Sequence, residues 1–302
     1  MIVVIGSINM DLVLRVPRMP LPGETLTGGA FRTIPGGKGA NQAVACARLS
    51  GKVAGAQQVA MVGCVGDDAF GATLRAALVG DGIIDSHITT LPGVASGIAS
   101  ILVDDNGQNS IVIAGGANDL LSPAHIDAAK ELIEQADIVV LQLETPMATV
   151  VHAIKLARSL GKTVVLNPAP AASLPAGVLE LVDYLIPNEI EAAMLAGVNP
   201  EGADAKALAA ALQKLGSDNV IITLGSKGVH AALYGGDFTF PAEVVQAVDT
   251  TAAGDTFIGG FVAGLASGMD EAEAIGQGQR AAAWSVTKPG AQTSIPHLHE
   301  LF

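Results

Sequence analysis

The chain has 302 residues, of which 50% are hydrophobic but only 3% aromatic, and 36 are glycine. A core of small and branched aliphatic side chains is typical of a parallel α/β sheet that is covered by helices on both faces. The net charge of −13 argues against a nucleic-acid partner, because a phosphate backbone requires basic patches.

Neither a secretory signal nor a membrane span is indicated. No basic segment precedes the first apolar run, and Asp11 interrupts that run. We therefore expect a cytoplasmic protein. The two cysteines, Cys46 and Cys64, show no metal-ligand or disulfide spacing, so we expect two buried free thiols.

The first apolar run, residues 2–5, predicts a buried strand that ends in a loop carrying Asn9 and Asp11. Residues 12–34 and 96–114 differ from the rest, because short alternating strands and turns fill both patches. The second patch contains an Asp-Asp-Asn-Gly turn between two apolar runs, which predicts a hairpin. We interpret the two patches as a small β-sheet lid on a single domain that spans residues 1–302.

The remaining chain alternates strands with helices. Strands are predicted at 59–65, 138–143, 163–166, 184–186 and 219–223, and a hairpin at 228–240. Helices are predicted to end near residues 49 and 197 and to span about 70–80, 148–160, 203–215, 254–266 and 270–287, with another opening at 122–123. Such alternation predicts a parallel sheet with right-handed crossovers.

Polar or glycine-rich segments follow most of these strands, at the edge where α/β sheets bind ligands. They are the turn 36–41 with Lys38 and Asn41, Glu144 after a strand, the polar helix start at 188–191, and the turn 223–228. Each has a simpler alternative as a turn or a helix cap, and Glu144 as a cap partner for the next helix. Their shared position at one sheet edge favours a ligand site.

Residues 248–257 are the most informative stretch. Small residues lead to Gly254 and Asp255, and an apolar helical segment follows. A helix N-terminus presents free N–H groups that hold an anion, and an adjacent carboxylate can accept a proton. This pairing suits phosphoryl transfer to a hydroxyl. The alternative is that Asp255 only caps the helix.

Two motifs resemble the signatures of the ribokinase, or phosphofructokinase-B, family of sugar kinases. They are GGKGANQA at residues 36–43 and DTTAAGDTF at residues 249–257. Shorter matches are GSINMD at 6–11, NPAP at 167–170, PNE at 187–189 and TLGSKG at 223–228. The resemblance covers essentially the whole chain. It implies a ribokinase-like α/β fold, in which helices flank a mostly parallel central sheet and a small β-sheet forms a lid.

The resemblance also implies a role for each matching residue. Asp255 is the expected base for the sugar 5-hydroxyl, and the backbone of Ala252, Ala253 and Gly254 is expected to bind the transferred phosphate. The expected sugar contacts are Asn9, Asp11, Gly37, Lys38, Asn41, Glu144 and Asp255. The expected ATP contacts are Asn188, Thr223, Gly225, Ser226, Lys227, Gly228, Gly254 and Gln279.

Two ions belong to the same implied pattern. The expected residues around a monovalent cation, usually potassium, are Asp249, Thr251, Ser285, Lys288, Gly290 and Ser294. Asn188 and Glu191 are expected to organise magnesium, Glu191 through water. The chain departs from the family at Ala252 and Ala253, where many members have glycine, at Gln279, which is often His or Asn, and at Pro289 within the cation segment.

The expected reaction is ATP-dependent phosphorylation of D-ribose at the 5-hydroxyl. Asn9 and Asp11 supply polar contacts for sugar hydroxyls, and the scarcity of aromatic residues argues against a nucleoside substrate. The alternatives are another small-sugar kinase, acting on 2-deoxyribose or fructose, and a non-catalytic sugar or nucleotide sensor on the same fold. Because lid strands that pair across two chains would cover an open sheet edge, we also predict a homodimer.

Overall fold

The computed structural model describes residues 1–51 and 58–302. In chain order, the strands are β1 (Ile2–Ile5), β2 (Asn9–Arg15), β3 (Phe31–Gly36), β4 (Val59–Gly66), β5 (Ile84–Leu91), β6 (Gly97–Val103), β7 (Asn109–Ala114), β8 (Ile138–Leu141), β9 (Thr163–Leu166), β10 (Tyr184–Leu185), β11 (Asn219–Thr223), β12 (Val229–Leu233) and β13 (Gly236–Phe240). The α-helices are α1 (Lys38–Leu49), α2 (Ala69–Gly80), α3 (Pro123–Ala128), α4 (Lys130–Glu134), α5 (Met147–Ser159), α6 (Glu189–Leu195), α7 (Ala205–Lys214), α8 (Ala253–Ala266) and α9 (Glu271–Ser285).

The larger sheet has nine strands in the order β13-β12-β11-β10-β9-β8-β1-β4-β5. All neighbours pair in parallel except in the β11–β12 and β12–β13 hairpins, which are antiparallel. The central strands are continuous apolar runs because helices cover both faces. Adjacent Val3 and Val4 pack in two separate core clusters, one on each face of the sheet. The predicted parallel α/β architecture is therefore confirmed.

The smaller sheet has four strands in the order β3-β2-β6-β7, with β2 and β6 parallel and the outer pairs antiparallel. The predicted hairpin is present between β6 and β7. Asp104 closes its turn by accepting hydrogen bonds from the N–H groups of Asn106 and Gln108, both at 2.9 Å.

The predicted loop after the first strand is wrong. Asn9 and Asp11 lie on β2, whose backbone pairs with β3 on one side and β6 on the other. Two polar side chains that follow an apolar run predict a loop from sequence alone. Here both are buried at the junction of the two sheets. The pattern of residues 84–91 does not predict β5 either, because Asp85, Ser86 and His87 interrupt its apolar residues.

Close packing of α1 against α8 positions the residues of the site. Gly259 lies in α8 where any Cβ would collide with the side chain of Ala45 in α1. Since glycine permits this approach, the first turns of the two helices lie side by side. Both helices begin at the carboxyl edge of the larger sheet: α1 beside Ser7 and Glu144, which follow β1 and β8, and α8 beside Asn167, which follows β9. In the described residues no helix has the length and apolarity that a membrane span requires.

Candidate active site

Asp255 lies in the first turn of α8 and is 7% exposed. Two adjacent residues of α1 bind its carboxylate: Asn41 Nδ2 donates to Oδ2 at 3.1 Å and Gln42 Nε2 donates to Oδ1 at 2.9 Å. Burial raises the pKa of Asp255, whereas Lys38 and these two amides oppose the rise. The side chain of Asp255 is therefore an oriented carboxylate and not an exposed helix cap.

The backbone at the start of α8 is unusual. Ala252 adopts φ 60° and immediately precedes the helix, and within residues 1–51 and 58–302 it is the only non-glycine residue with a positive φ. Ala252, Ala253, Gly254 and Asp255 line one cavity of about 200 Å³. Because the first N–H groups of a helix have no helical acceptor, this turn can bind an anion beside the carboxylate.

Glu144 anchors the end of β8 to the start of α1. Its Oε2 accepts hydrogen bonds from Ser7 Oγ at 2.6 Å and from the N–H of Lys38 at 3.1 Å. The alternative in which Glu144 is a cap partner for the following helix does not hold, because the start of α5 at Pro146 has no side-chain cap hydrogen bond. Glu144 thus lies where β1, α1 and β8 meet.

Lys38 lies among three carboxylates, those of the buried Asp255 and of the half-buried Glu144 and Glu191. Its burial disfavours the ammonium, but Asp255, Glu144 and Glu191 outweigh that effect, so the pKa of Lys38 is raised. Lys38 also lines the 200 Å³ cavity. A charged ammonium in this position suits an anionic ligand.

Asn9 and Asp11 face the same region from β2. Asn9 Oδ1 accepts a hydrogen bond from Asn118 Nδ2 at 2.7 Å. Burial raises the pKa of Asp11 to about 7, with further contributions from Glu144 and Asp255. These predicted sugar contacts are therefore brought together, and Gly37 lies beside them, because a Cβ at Gly37 would lie only 2.7 Å from the backbone nitrogen of Asn9.

A second cavity, of about 390 Å³, adjoins the first, since Thr223, Thr250, Ala253 and Gly254 line both. Its other lining residues include the predicted nucleotide contacts Gly225, Ser226, Gly228 and Gln279, together with Val229, Ala242, Val244, Val245, Phe257 and Val286. Apolar walls with a few polar groups at one end are typical of a nucleotide site.

Lys227 is the predicted nucleotide contact that does not line either cavity. Its ammonium lies 3.0 Å from Glu189 Oε1 in an exposed ion pair. Gln279, by contrast, lines the larger cavity, where its Nε2 donates to the carbonyl groups of Phe240 and Pro241, both at 3.2 Å.

Asn188 and Glu191 form a capping box at the start of α6. The N–H of Glu191 donates to Asn188 Oδ1 at 2.8 Å, and the N–H of Asn188 donates to Glu191 Oε2 at 2.9 Å. The capping alternative is thus present, and it coexists with ligand access because both residues line the 200 Å³ cavity. Burial raises the pKa of Glu191 despite the opposing effects of Asn188 and Lys38.

The predicted cation residues lie on two segments that meet beside α8. The N–H of Asp249 donates to the carbonyl of Val286 at 3.1 Å, and the N–H of Gly290 donates to Asp249 Oδ2 at 2.9 Å. Burial works to raise the pKa of Asp249, but hydrogen bonds from Thr251 and Gly290 outweigh it, so the pKa is lowered. Ser285, Lys288 and Ser294 lie on the second segment, and Ser285 and Ser294 are buried.

No group of three or more His, Cys, Asp or Glu side chains with metal-binding geometry occurs in the part of the chain that the structure describes. The cysteine prediction is confirmed, since Cys46 and Cys64 are free and buried.

Three further side chains complete the site: Ser7 and Asn167 lie within short family matches without a role predicted from sequence, and Asn118 lies outside the matched motifs. Ser7 orients Glu144, Asn118 binds Asn9, and Asn167 lines the 200 Å³ cavity. A separate groove of about 440 Å³ includes Asp137, Thr163 and Tyr184, at the opposite edge of the larger sheet. It contains none of the predicted site residues.

Comparison with known proteins agrees with this geometry. The model of the pfkB family of carbohydrate kinases matches residues 1–298. A ribokinase from Haemophilus influenzae is 46% identical over 298 residues, covering 98% of this chain and 95% of that protein. A deoxyribokinase from Salmonella typhi is 40% identical over 301 residues, covering 99% and 96% of the two chains.

A solved structure of Arabidopsis thaliana ribokinase, complexed with ribose and ATP, superposes with a TM-score of 0.89. It is 32% identical to this chain, and the match covers 99% of this chain and 96% of that one. The family signatures, the two-sheet architecture and the full-length similarity agree with one another. The chain belongs to the pfkB family of carbohydrate kinases.

Proposed function

We propose that this chain transfers the γ-phosphoryl group of ATP to the 5-hydroxyl of D-ribose. The observation that carries the proposal is the position of Asp255. Its buried carboxylate lines the 200 Å³ polar cavity from the first turn of α8, next to Ala253 and Gly254, which line both this cavity and the largely apolar one of 390 Å³. A sugar hydroxyl in the first cavity and a nucleotide in the second would meet at this carboxylate.

In this proposal Asp255 accepts the proton of the attacking hydroxyl, which then attacks the phosphorus in line with the departing ADP oxygen. The N–H groups at the start of α8, around Ala253 and Gly254, hold the transferred phosphoryl oxygens. Lys38 adds a positive charge within the same cavity. Catalysis thus rests on positioning and charge stabilisation, which dominate phosphoryl transfer.

Magnesium fits the chemistry of the 200 Å³ cavity. The capping box uses Oε2 of Glu191, so Oε1 is the oxygen that would contact the water of a bound ion, with Asn188 beside it. When bound with ATP, magnesium neutralises phosphate charge. The nucleotide contacts that we propose around it are Asn188, Thr223, Gly225, Ser226, Gly228, Gly254 and Gln279.

A monovalent cation, with potassium as the proposed ion, fits beside Asp249. The carboxylate stays ionised because its pKa is lowered, and hydrogen bonds join its segment to Val286 and Gly290. The proposed ligands come from Asp249, Thr251, Ser285, Lys288, Gly290 and Ser294, largely through their carbonyl groups. Asp249 and Thr251 lie just before Ala252 in the chain, so residues that hold an ion here would also support the turn that binds phosphate.

We expect ribose to bind better than 2-deoxyribose, because several buried polar groups of the site need a hydroxyl as a partner. Asn9 Oδ1 is occupied by Asn118, which leaves the amide N–H groups of Asn9 for the ligand. The carboxylates of Asp11 and Glu144 add acceptors in the same region. A sugar that lacks a hydroxyl leaves a buried group unpaired, and this costs binding free energy.

The test is a coupled ADP assay with ATP and D-ribose, 2-deoxyribose, fructose or adenosine. We expect the highest kcat/KM with D-ribose. A higher kcat/KM with 2-deoxyribose would favour the runner-up activity, for which the similarity to a deoxyribokinase is the supporting observation. ATP consumption with none of these sugars would instead favour a non-catalytic sensor.

We further propose that two chains associate through the smaller sheet. Strand β7 lies at an edge of that sheet, and Ile111, Val112 and Ile113 on it are 52%, 68% and 49% exposed. Exposed apolar residues on an open edge are a liability unless another chain covers them. A homodimer that covers β7 would bury its exposed apolar side chains and pair its open edge.

We also propose that the protein is cytoplasmic. ATP is available there, and two buried free thiols, Cys46 and Cys64, agree with a reducing compartment. Fractionation of cells that express the protein, followed by immunoblotting, tests this assignment.

A further inference from the structure

Gln42 contacts the proposed base but has no role in the mechanism described so far. The side chain is fully buried in the second turn of α1. Its Nε2 donates to Asp255 Oδ1 at 2.9 Å and to Asn167 Oδ1 at 3.2 Å, and its Oε1 accepts a hydrogen bond from Gln142 Nε2 at 2.6 Å. Each polar atom of the Gln42 amide is therefore used.

These partners permit only one orientation of the Gln42 amide. If the amide were rotated by half a turn, its oxygen would face two acceptors, Asp255 Oδ1 and Asn167 Oδ1. Its N–H groups would then face the donor Gln142. The two acceptors, Asp255 and Asn167, together with the donor Gln142, thus determine that Gln42 presents an N–H group, and not an oxygen, to the Asp255 carboxylate.

The fold makes room for Gln142 at some cost. Gly6 follows β1 at a place where any Cβ would collide with Gln142 Oε1. That oxygen is buried and has no hydrogen-bond partner among the described residues. An unpaired buried oxygen destabilises a fold by about 1–3 kcal/mol, so stability alone does not explain a glutamine here.

Gln142 also links the two halves of the site. It lies two residues before Glu144, on the segment that follows β8. Glu144 is a proposed sugar contact, whereas Gln42 contacts the base. The segment that binds the sugar therefore also fixes, through one amide, the group that binds Asp255.

We propose that Gln42, with its amide oriented by Gln142, is the positioning residue that holds the Asp255 carboxylate in its reactive orientation. Asn41 binds Oδ2 and Gln42 binds Oδ1, so the two donors together fix the plane of the carboxylate. The proposal rests on the proposed role of Asp255 as the base.

The test compares three glutamine-to-methionine variants of similar volume. Gln42→Met removes the donor to Asp255, and Gln142→Met removes only the group that orients Gln42. Gln277→Met is the matched control, because the amide of Gln277 is also buried and donates to the carbonyl of Gly260, in the same helix as Asp255, at 3.0 Å. Thermal unfolding of all three variants measures the cost to stability.

For Gln42→Met we expect kcat with ribose and ATP to fall roughly 10- to 100-fold, with little change in either KM. Losing a donor to the carboxylate favours its protonated form, so the acid limb of the kcat/KM profile moves to higher pH. Gln142→Met should shift both quantities in the same direction by less. Gln277→Met should leave both unchanged.

A second readout does not depend on turnover. Protein with 13C-labelled aspartate carboxyl groups is titrated by NMR, and the Asp255 resonance is assigned with Asp255→Asn. Its titration should move to higher pH in Gln42→Met and Gln142→Met but not in Gln277→Met. If the wild type phosphorylates no sugar, the proposed function fails, and this titration still tests the contact.

Equal kcat, pH profile and Asp255 titration in all three variants would overturn the proposal, since Gln42 would then serve stability alone. Should Gln42→Met fail to fold, Gln142→Met decides the outcome, because it leaves the donor to Asp255 in place.

Discussion

Asn118 donates a hydrogen bond from Nδ2 to Oδ1 of Asn9 at 2.7 Å, where the larger sheet passes into the smaller one. Asn118 is itself held by the backbone of Ile8, through bonds to the N–H and carbonyl groups at 2.9 and 3.1 Å. Because the oxygen of Asn9 is engaged, its N–H groups remain for a ligand. Asn118 therefore determines which end of the Asn9 amide meets the sugar.

Replacing Asn118 with aspartate should weaken sugar binding. Aspartate still accepts the hydrogen bond from Ile8 but cannot donate to Asn9, so the Asn9 amide is expected to rotate and present its oxygen to the sugar. We expect the KM for ribose to rise roughly tenfold, which corresponds to the loss of one hydrogen bond, while kcat changes less. Steady-state kinetics check this, and an unchanged KM would count against the role of Asn118.

Asp11 should make stability depend on pH near neutrality. Its pKa is about 7 in the folded protein, against 3.8 as the ordinary value. A raised folded pKa gives stability that is fully present below the unfolded pKa and is lost as pH rises through about 7. The pKa difference corresponds to about 4 kcal/mol of unfolding free energy at most.

Asp11→Asn removes that titration. Relative to the wild type, the variant should gain about 2–3 kcal/mol of unfolding free energy between pH 5 and pH 8, because only the wild type must ionise Asp11. Urea unfolding of both proteins at pH 5 and pH 8 measures this difference in unfolding free energy. The titrations of the other groups are common to both proteins and cancel. A difference that is independent of pH would show that Asp11 ionises normally.

In the turn before α8, glycine should be tolerated better at Ala252 than at Ala253. Ala252 has φ 60°, which costs an alanine about 1–2 kcal/mol, whereas Ala253 is already helical. Ala252→Gly should therefore be more stable than the matched control Ala253→Gly by about 1–2 kcal/mol, since both lose similar backbone entropy. Urea unfolding decides this, and equal stability would mean that Ala252 is not strained.

The proposed dimer should depend on β7. Val112 is 68% exposed there, and Val112→Glu would place a charge in the proposed interface, where its desolvation opposes association. Val79→Glu, at a valine of α2 that is 51% exposed, is the control. Light scattering at micromolar concentration should give a dimer mass for the wild type and the control and a monomer mass for Val112→Glu. A wild-type monomer would refute the dimer.

The sequence predicts best those strands and helices whose ends are marked by polar or glycine residues. Strands β9 and β11 begin and end as predicted, since uninterrupted apolar runs lie between polar or glycine residues. Strand β5 is missed, because polar residues alternate irregularly with its apolar ones. The strand that carries Asn9 and Asp11 is mistaken for a loop, because pairing with two distant strands overrides the local polar pattern.

The site residues also divide into those that a local sequence pattern reveals and those that it does not. Asp255 and Asn41 lie within contiguous motifs, so their residue types and spacing reveal them. Asn118 and Gln142 act through partners 109 and 100 residues away in the chain, and an isolated polar residue carries no local signal of such a contact. Only the folded chain shows that they orient the amides of Asn9 and Gln42.

The role of Asp255 as the base is the central claim, and Asp255→Asn tests it most directly. Kinetics with ribose and ATP are measured alongside nucleotide binding by calorimetry, with thermal unfolding as the check on folding. We expect kcat to fall by about 10²–10⁴-fold, because the base is lost, while ATP affinity and the fold are retained. A folded Asp255→Asn enzyme that keeps kcat close to that of the wild type would contradict the mechanism.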